Sequence, residues 1–218
     1  MPRSASKVTK KELKGEEEGP YVYVTVGTTR FDALVAAASS TAFLTAAESV
    51  GFKRVLIQYG RGPCPDENSV LGCKLSFYSL KSDISEDVAK AGVVVSHGGA
   101  GSIFEALRAK QRLLVVCNPD LADNHQVELA NAVCAGGHCC IASQPVTSHG
   151  LAKGLIKVSR QVFKTLPAPN PTLFRTLMDS QSQSPGNGGF FRLLFASALL
   201  ALVLLLISRE LIAHNAWE

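Results

Sequence analysis

The sequence predicts an α/β domain built on a parallel sheet, and three observations carry that prediction. Short apolar runs rich in β-branched and aromatic residues alternate with stretches of helical period from Tyr21 to about Thr165, the size of one domain. The run Val93 to Val95 is typical of a buried strand. A small-residue turn, Ser96-His97-Gly98-Gly99-Ala100-Gly101-Ser102, joins that run to a helical pattern and a second apolar run. Strand, turn, helix and strand in that order make a βαβ unit with parallel strands.

Taken in order, the first strand is Tyr21 to Val26 (YVYVTV). It runs into Gly27-Thr28-Thr29 and then a helix from about Phe31 to Ser49. Gly27, Thr28 and Thr29 can offer amide and hydroxyl donors to a ligand, or form an ordinary turn with a Thr cap. The second strand is Val55 to Gln58, followed by Tyr59-Gly60-Arg61-Gly62-Pro63. Arg61 between glycines suits a phosphate or carboxylate, and equally suits a solvated loop. Asp66 to Gly72 reads as loop, Leu75 to Tyr78 as a weaker strand, and Ser82 to Ala91 as a short helix with an imperfect capping box.

The central unit follows. Ile103, Phe104, Ala106 and Leu107 give the helix its apolar side, and Leu113 to Cys117 is the next strand. Ligands of such units sit off the carboxyl ends of the strands. Glycines let backbone N–H groups approach a ligand closely, and the helix N-terminus favours an anionic group. Glu105 stands one turn into that helix, within reach of hydroxyls on the same ligand. Asn118-Pro119 ends a strand, and Asp123-Asn124-His125-Gln126 opens a helix that Gly136-Gly137 stops. His138 to Ala142 reads as a last short strand, and Ser148 to Phe163 as a packed amphipathic helix. His138, His149 and His214 fit no motif and read as surface or packing residues.

Composition bounds the rest. The chain has 218 residues and a net charge of +4, with its basic residues spread out, so no nucleic-acid partner is expected. Six cysteines lack any CxxC pair. They read as reduced thiols in a cytosolic domain, and no metal site is expected. Residues 1–20 are polar and charged, a tail expected to be disordered rather than a signal peptide. Residues 21–165 form the domain. Residues 166–189 have the composition of a linker. Residues 190–213 form an apolar helix interrupted by Arg192, Arg209 and Glu210. Its uninterrupted core, Leu193 to Ile207, spans only about 22 Å as a helix, against a hydrocarbon core of roughly 30 Å. It is either a tail anchor whose end arginines snorkel or a helix that docks on a partner.

Glycine turns alone are weak signals, and Gly98-Gly99-Ala100-Gly101 is not the G-x-G-x-x-G dinucleotide fingerprint. The spacing adds weight: His97, Ser102, Glu105 and the Asn124-His125-Gln126 cluster all fall at strand ends or helix starts. The stretch His97 to Gln126 resembles the donor-binding signature of nucleotide-sugar glycosyltransferases of the two-Rossmann-domain (GT-B) architecture. More narrowly, Gly27-Thr28-Thr29, Gly60-Arg61-Gly62, Ser96 to Ser102 and Asn124 to Ala130 together resemble one family. It is the family of catalytic subunits called asparagine-linked glycosylation protein thirteen, within the family 28 C-terminal domains. The resemblance runs from about Tyr21 to Val158.

The resemblance implies a Rossmann-like parallel sheet, the C-terminal, donor-binding half of a GT-B enzyme. It implies UDP-N-acetylglucosamine as donor, no cofactor, and a membrane-anchored acceptor-side subunit of the asparagine-linked glycosylation protein fourteen type. Together they would transfer N-acetylglucosamine to a dolichol-linked acceptor, N-acetylglucosaminyl-diphosphodolichol, at the cytosolic face of the endoplasmic reticulum, with inversion. By the same resemblance His97 and the amides of Gly99, Ala100, Gly101 and Ser102 hold the leaving diphosphate, and Glu105 the ribose. Asn124 and Gln126 hold the sugar, with His125 beside it or capping the helix. Thr28 and Thr29 line the cleft, and the general base is unassigned. The family's subunits typically lack a hydrophobic tail of their own, so residues 190–213 are a departure. Rival readings are another UDP-sugar glycolipid transferase and a non-catalytic UDP-sugar-binding subunit. A nicotinamide enzyme is disfavoured by the missing fingerprint and by Gln58, not an acid, ending its strand.

Overall fold

Six parallel strands form one sheet in the order β3-β2-β1-β4-β5-β6. The strands are β1 (Tyr21–Thr25), β2 (Arg54–Gln58), β3 (Lys74–Tyr78), β4 (Ala91–Ser96), β5 (Arg112–Val115) and β6 (Cys140–Ile141). The helices are α1 (Asp32–Ala38), α2 (Thr41–Ser49), α3 (Ser85–Lys90), α4 (Ala100–Arg108), α5 (His125–Ala135) and α6 (Ser148–Arg160). The computed structural model describes residues 19–66, 72–118 and 125–166. The N-terminal tail, the linker and the apolar segment 190–213 lie outside the described residues. Among the described residues no helix is long and apolar enough to cross a membrane.

Side-chain alternation splits the buried residues between two faces. Val22, Val24, Val93, Val95 and Leu114 pack on one face with Leu34, Phe43, Leu44 and Leu155. Tyr23, Val94, Leu113 and Val115 pack on the other with Ile103, Leu129 and Val133. Full burial of a Val or Leu side chain is worth about 1.5–3 kcal/mol, so both layers are needed to hold a parallel sheet. The six cysteines are all free.

One expected element is corrected. The single helix Phe31–Ser49 is two helices, broken at Ser39-Ser40. Ser40 has extended backbone (φ −71°, ψ 150°), and its hydroxyl oxygen accepts from the amide of Phe43 at 3.3 Å, so it caps α2. A serine pair offers the backbone local hydrogen bonds that compete with the helix ladder, and the apolar period running through it hid the break.

Candidate functional site at the carboxyl ends of the sheet

The winding reverses between β1 and β4, and the crevice off the carboxyl ends of these two strands is where open α/β sheets bind ligands. His97 follows β4 directly. Its amide donates to the Thr25 carbonyl at 3.1 Å, and its ring Nδ1 lies 3.3 Å from the same oxygen. A carbonyl only accepts, so Nδ1 carries the proton and Nε2 of the neutral ring is an acceptor. The ring is only 6% exposed. Burial lowers its pKa, against a smaller opposing effect of the Thr25 carbonyl.

Two of the predicted glycines are required by that imidazole. A methyl at Gly99 would come within 2.5 Å of Nε2, and one at Gly27 within 2.8 Å of Cε1. The ring therefore sits between the β1 and β4 turns and fills the space their missing side chains leave.

Gly99 caps α4 without any side-chain cap bond. The first-turn amides of Ala100, Gly101 and Ser102 have no carbonyl within the helix to bond, and they stand at its positive end. The Ser102 hydroxyl donates to the Gly99 carbonyl at 3.0 Å and sits 2.8 Å from Ser96 Oγ, which accepts from the Gly98 amide at 3.3 Å. The serines brace the turn, leaving its amides for an anion. Glu105 is half-buried one turn further along. Desolvation first, and the charge of Asp83 second, raise its pKa.

Gln126, in the first turn of α5, packs against this turn: a methyl at Gly98 would lie 3.6 Å from its Oε1. That oxygen is buried and has no hydrogen-bond partner among the described residues. His125 begins the same helix; its side chain, and all of Asn124, lie outside the described residues. Thr28 is exposed, whereas the Thr29 hydroxyl donates to the Val26 carbonyl at 2.7 Å and so belongs to the turn.

Three further side chains hold the site from below: Ser96, which opens the turn motif, and Thr25 and Gln58, which belong to no motif. Thr25, Gln58 and Ser96 are buried polar residues, each the last of its strand. The Gly27 amide donates to Thr25 Oγ1 at 2.9 Å, and that hydroxyl donates to Gln58 Oε1 at 2.5 Å. A polar residue closing each of three adjacent apolar strands is the signal that could have found them. His138, by contrast, is a packing residue, 2% exposed with Nδ1 2.9 Å from the Lys164 carbonyl.

Comparison with known proteins gives the family. Residues 21–168 match the glycosyltransferase family 28 C-terminal domain. The UDP-N-acetylglucosamine transferase subunit ALG13 of Homo sapiens is 41% identical over 136 residues, 62% of this chain but only 12% of that protein. The protein of the same name from Eremothecium gossypii is 31% identical over 183 residues, 71% of this chain and 89% of its own. An NMR solution structure of ALG13 superposes with a TM-score of 0.55 at 24% identity, over 73% of this chain and 95% of that one, a likeness of fold. With its Rossmann-like GT-B half-fold, the chain belongs to the glycosyltransferase family 28 C-terminal domains and, among them, to the UDP-N-acetylglucosamine transferase subunit ALG13 family.

Proposed function

We propose that the chain is the donor-binding, catalytic subunit of an inverting transferase. It moves N-acetylglucosamine from UDP-N-acetylglucosamine to N-acetylglucosaminyl-diphosphodolichol, in complex with a membrane-anchored acceptor-side subunit at the cytosolic face of the endoplasmic reticulum. The carrying observation is the buried Oε1 of Gln126, which has no hydrogen-bond partner among the described residues, against a turn that opens α4 without a side-chain cap. A buried acceptor without a partner is costly, and a sugar hydroxyl satisfies it.

On this reading the amides of Gly99 to Ser102 and the His97 ring hold the donor diphosphate. Negative charge grows there as UDP leaves, so these groups favour the transition state over the ground state. Glu105 accepts from the ribose hydroxyls. Asn124 and Gln126 hold the sugar, with His125 beside them, and Thr28 stands on the cleft rim. The base that deprotonates the acceptor hydroxyl is not assigned.

The test is transfer from radiolabelled UDP-N-acetylglucosamine to an N-acetylglucosaminyl-diphospholipid, by the chain alone and with its membrane partner. Activity only with the partner is expected. Activity of the chain alone would refute the division of labour. Donor binding without transfer in either case would make the chain a non-catalytic subunit.

A further inference from the structure

The Gly60-Arg61-Gly62 turn at the end of β2 is not used by the donor site, yet it is tied to it. The Arg61 amide donates to the Thr29 carbonyl at 3.0 Å, the Gly60 amide to the Ser79 carbonyl at 3.0 Å, and the Gly62 amide to the Tyr59 carbonyl at 3.3 Å. The carboxyl ends of β1, β2 and β3 are thus bound into one rim through this turn. Gly60 has φ +64°, and a side chain there would run into the Thr29 carbonyl, so the approach of the two turns is built on glycine.

Arg61 is exposed on that rim. The carboxylate beside the turn is Asp32, which a methyl at Gly62 would meet at 2.7 Å. Asp32 is already held by two of the three guanidinium nitrogens of Arg30, Nε at 2.9 Å and Nη2 at 2.5 Å. Among the described residues Arg61 forms no salt bridge. A rigid turn therefore presents a free guanidinium fork at the mouth of the crevice, with the neighbouring acid neutralised by a different arginine.

Its position selects its ligand. β2 lies two strands from β4, roughly 10 Å at the ordinary inter-strand spacing, on the far side of the Gly27-Thr28-Thr29 turn from the α4 amides. One diphosphate is held at both turns only if the long Arg61 side chain reaches back across the Gly27-Thr28-Thr29 turn. The separation suits two anionic groups separated by the sugar that is receiving the new bond.

We propose that the Gly60-Arg61-Gly62 turn is a second anion-binding element of the cleft, in which Arg61 grips the diphosphate of the lipid-linked acceptor while the α4 turn holds that of the donor. This rests on the proposed function and extends it: the donor subunit itself reads part of the acceptor. A planar fork matches diphosphate oxygens in two parallel bonds, which a lysine cannot reproduce.

The test uses the full chain in complex with its membrane partner in neutral detergent, with the N-acetylglucosaminyl diphosphate ester of a short isoprenoid alcohol as acceptor. Arg61→Ala should raise the KM for this acceptor roughly tenfold or more, leave the KM for UDP-N-acetylglucosamine unchanged, and be only partly rescued by Arg61→Lys. A rise in donor KM instead would assign Arg61 to the donor diphosphate and overturn the proposal. Unchanged kinetics would make it a solvated arginine. A loss seen only on anionic vesicles would assign it to the membrane surface. The Kd of the same ester for the UDP-loaded complex is measured in parallel. Wild-type complex that binds both ligands without transfer would sink the transferase reading, and the Arg61→Ala change in that Kd would still decide this one.

Discussion

At the amino ends of the strands lies a cavity of ≈ 450 Å³, bordered by Pro20, Ala91, Lys110, Arg112, His138 and Leu166. At the carboxyl ends there are instead glycine turns, helix amides and a single orphaned carbonyl. Each end has one buried polar atom without a hydrogen bond among the described residues: Arg54 Nε at the start of β2 and Gln126 Oε1 at the start of α5. Arg54 has another source of stabilisation, since its guanidinium carbon stands 4.1 Å from the centroid of the Tyr21 ring. In the cavity, His138 has spent Nδ1 on Lys164. This cavity and the glycine turns with their helix amides therefore lie at opposite ends of one sheet. The reason is directional: parallel strands put the N-termini of α4 and α5 on the carboxyl side, where their unbonded amides and positive ends face outward.

The largest test of this contrast is steric. Gly99→Ala drives a methyl into His97 Nε2 although the backbone (φ −65°, ψ 133°) is ordinary for alanine. It should cost about 1–3 kcal/mol of stability and abolish measurable UDP-N-acetylglucosamine binding. Gly101→Ala meets open space within α4 and should gain about 0.5–1 kcal/mol. Thermal melts of the two variants check the pair, and equal effects would refute the packing argument. Next in size, Glu105→Ala should weaken donor binding by about 1.5–3 kcal/mol, the worth of a charged hydrogen bond. Calorimetric titration reads this directly, and unchanged affinity would remove Glu105 from the ribose site.

The sheet was legible because its strands are short apolar runs and its turns are glycines. The sequence also placed His97, Gly99, Ser102 and Gln126 at one crevice, and the structure brings them there. What spacing could not give was the reason for each glycine. Gly27 and Gly99 look alike as turn residues, and only the fold reveals that both are small because one imidazole lies between them. Nor could motif reading find Thr25 and Gln58, whose bond at 2.5 Å joins residues 33 positions apart in the sequence. The break at Ser40 was lost because an apolar period continues through it.

A pH experiment is expected to give a smaller effect. His97 is neutral in the free protein because burial lowers its pKa, and its free Nε2 is an acceptor. Gripping a diphosphate oxygen requires a proton there, so donor binding should take up protons near neutral pH, and affinity should rise as pH falls from about 7.5 to about 6 around the ordinary histidine value. Stability runs the other way. A histidine whose folded pKa lies below its unfolded one contributes stability above the unfolded pKa, and this is lost as pH falls below about 6.5. Titrations in two buffers of different ionisation enthalpy measure the uptake. Its persistence in His97→Gln would show that another group supplies it.

The two unpaired atoms provide the finest discrimination. Gln126→Met keeps the shape of the side chain and removes the buried carbonyl. Donor affinity should fall by about 0.5–1.5 kcal/mol, one neutral hydrogen bond, while stability holds or rises because no buried acceptor is left unsatisfied. Arg54→Met should do the reverse, costing about 0.5–1 kcal/mol of stability through the lost ring contact and leaving donor affinity untouched. If Gln126→Met instead destabilised the protein as Arg54→Met does, the orphaned carbonyl would be part of the packing, and the carboxyl end would lose the feature that sets it apart.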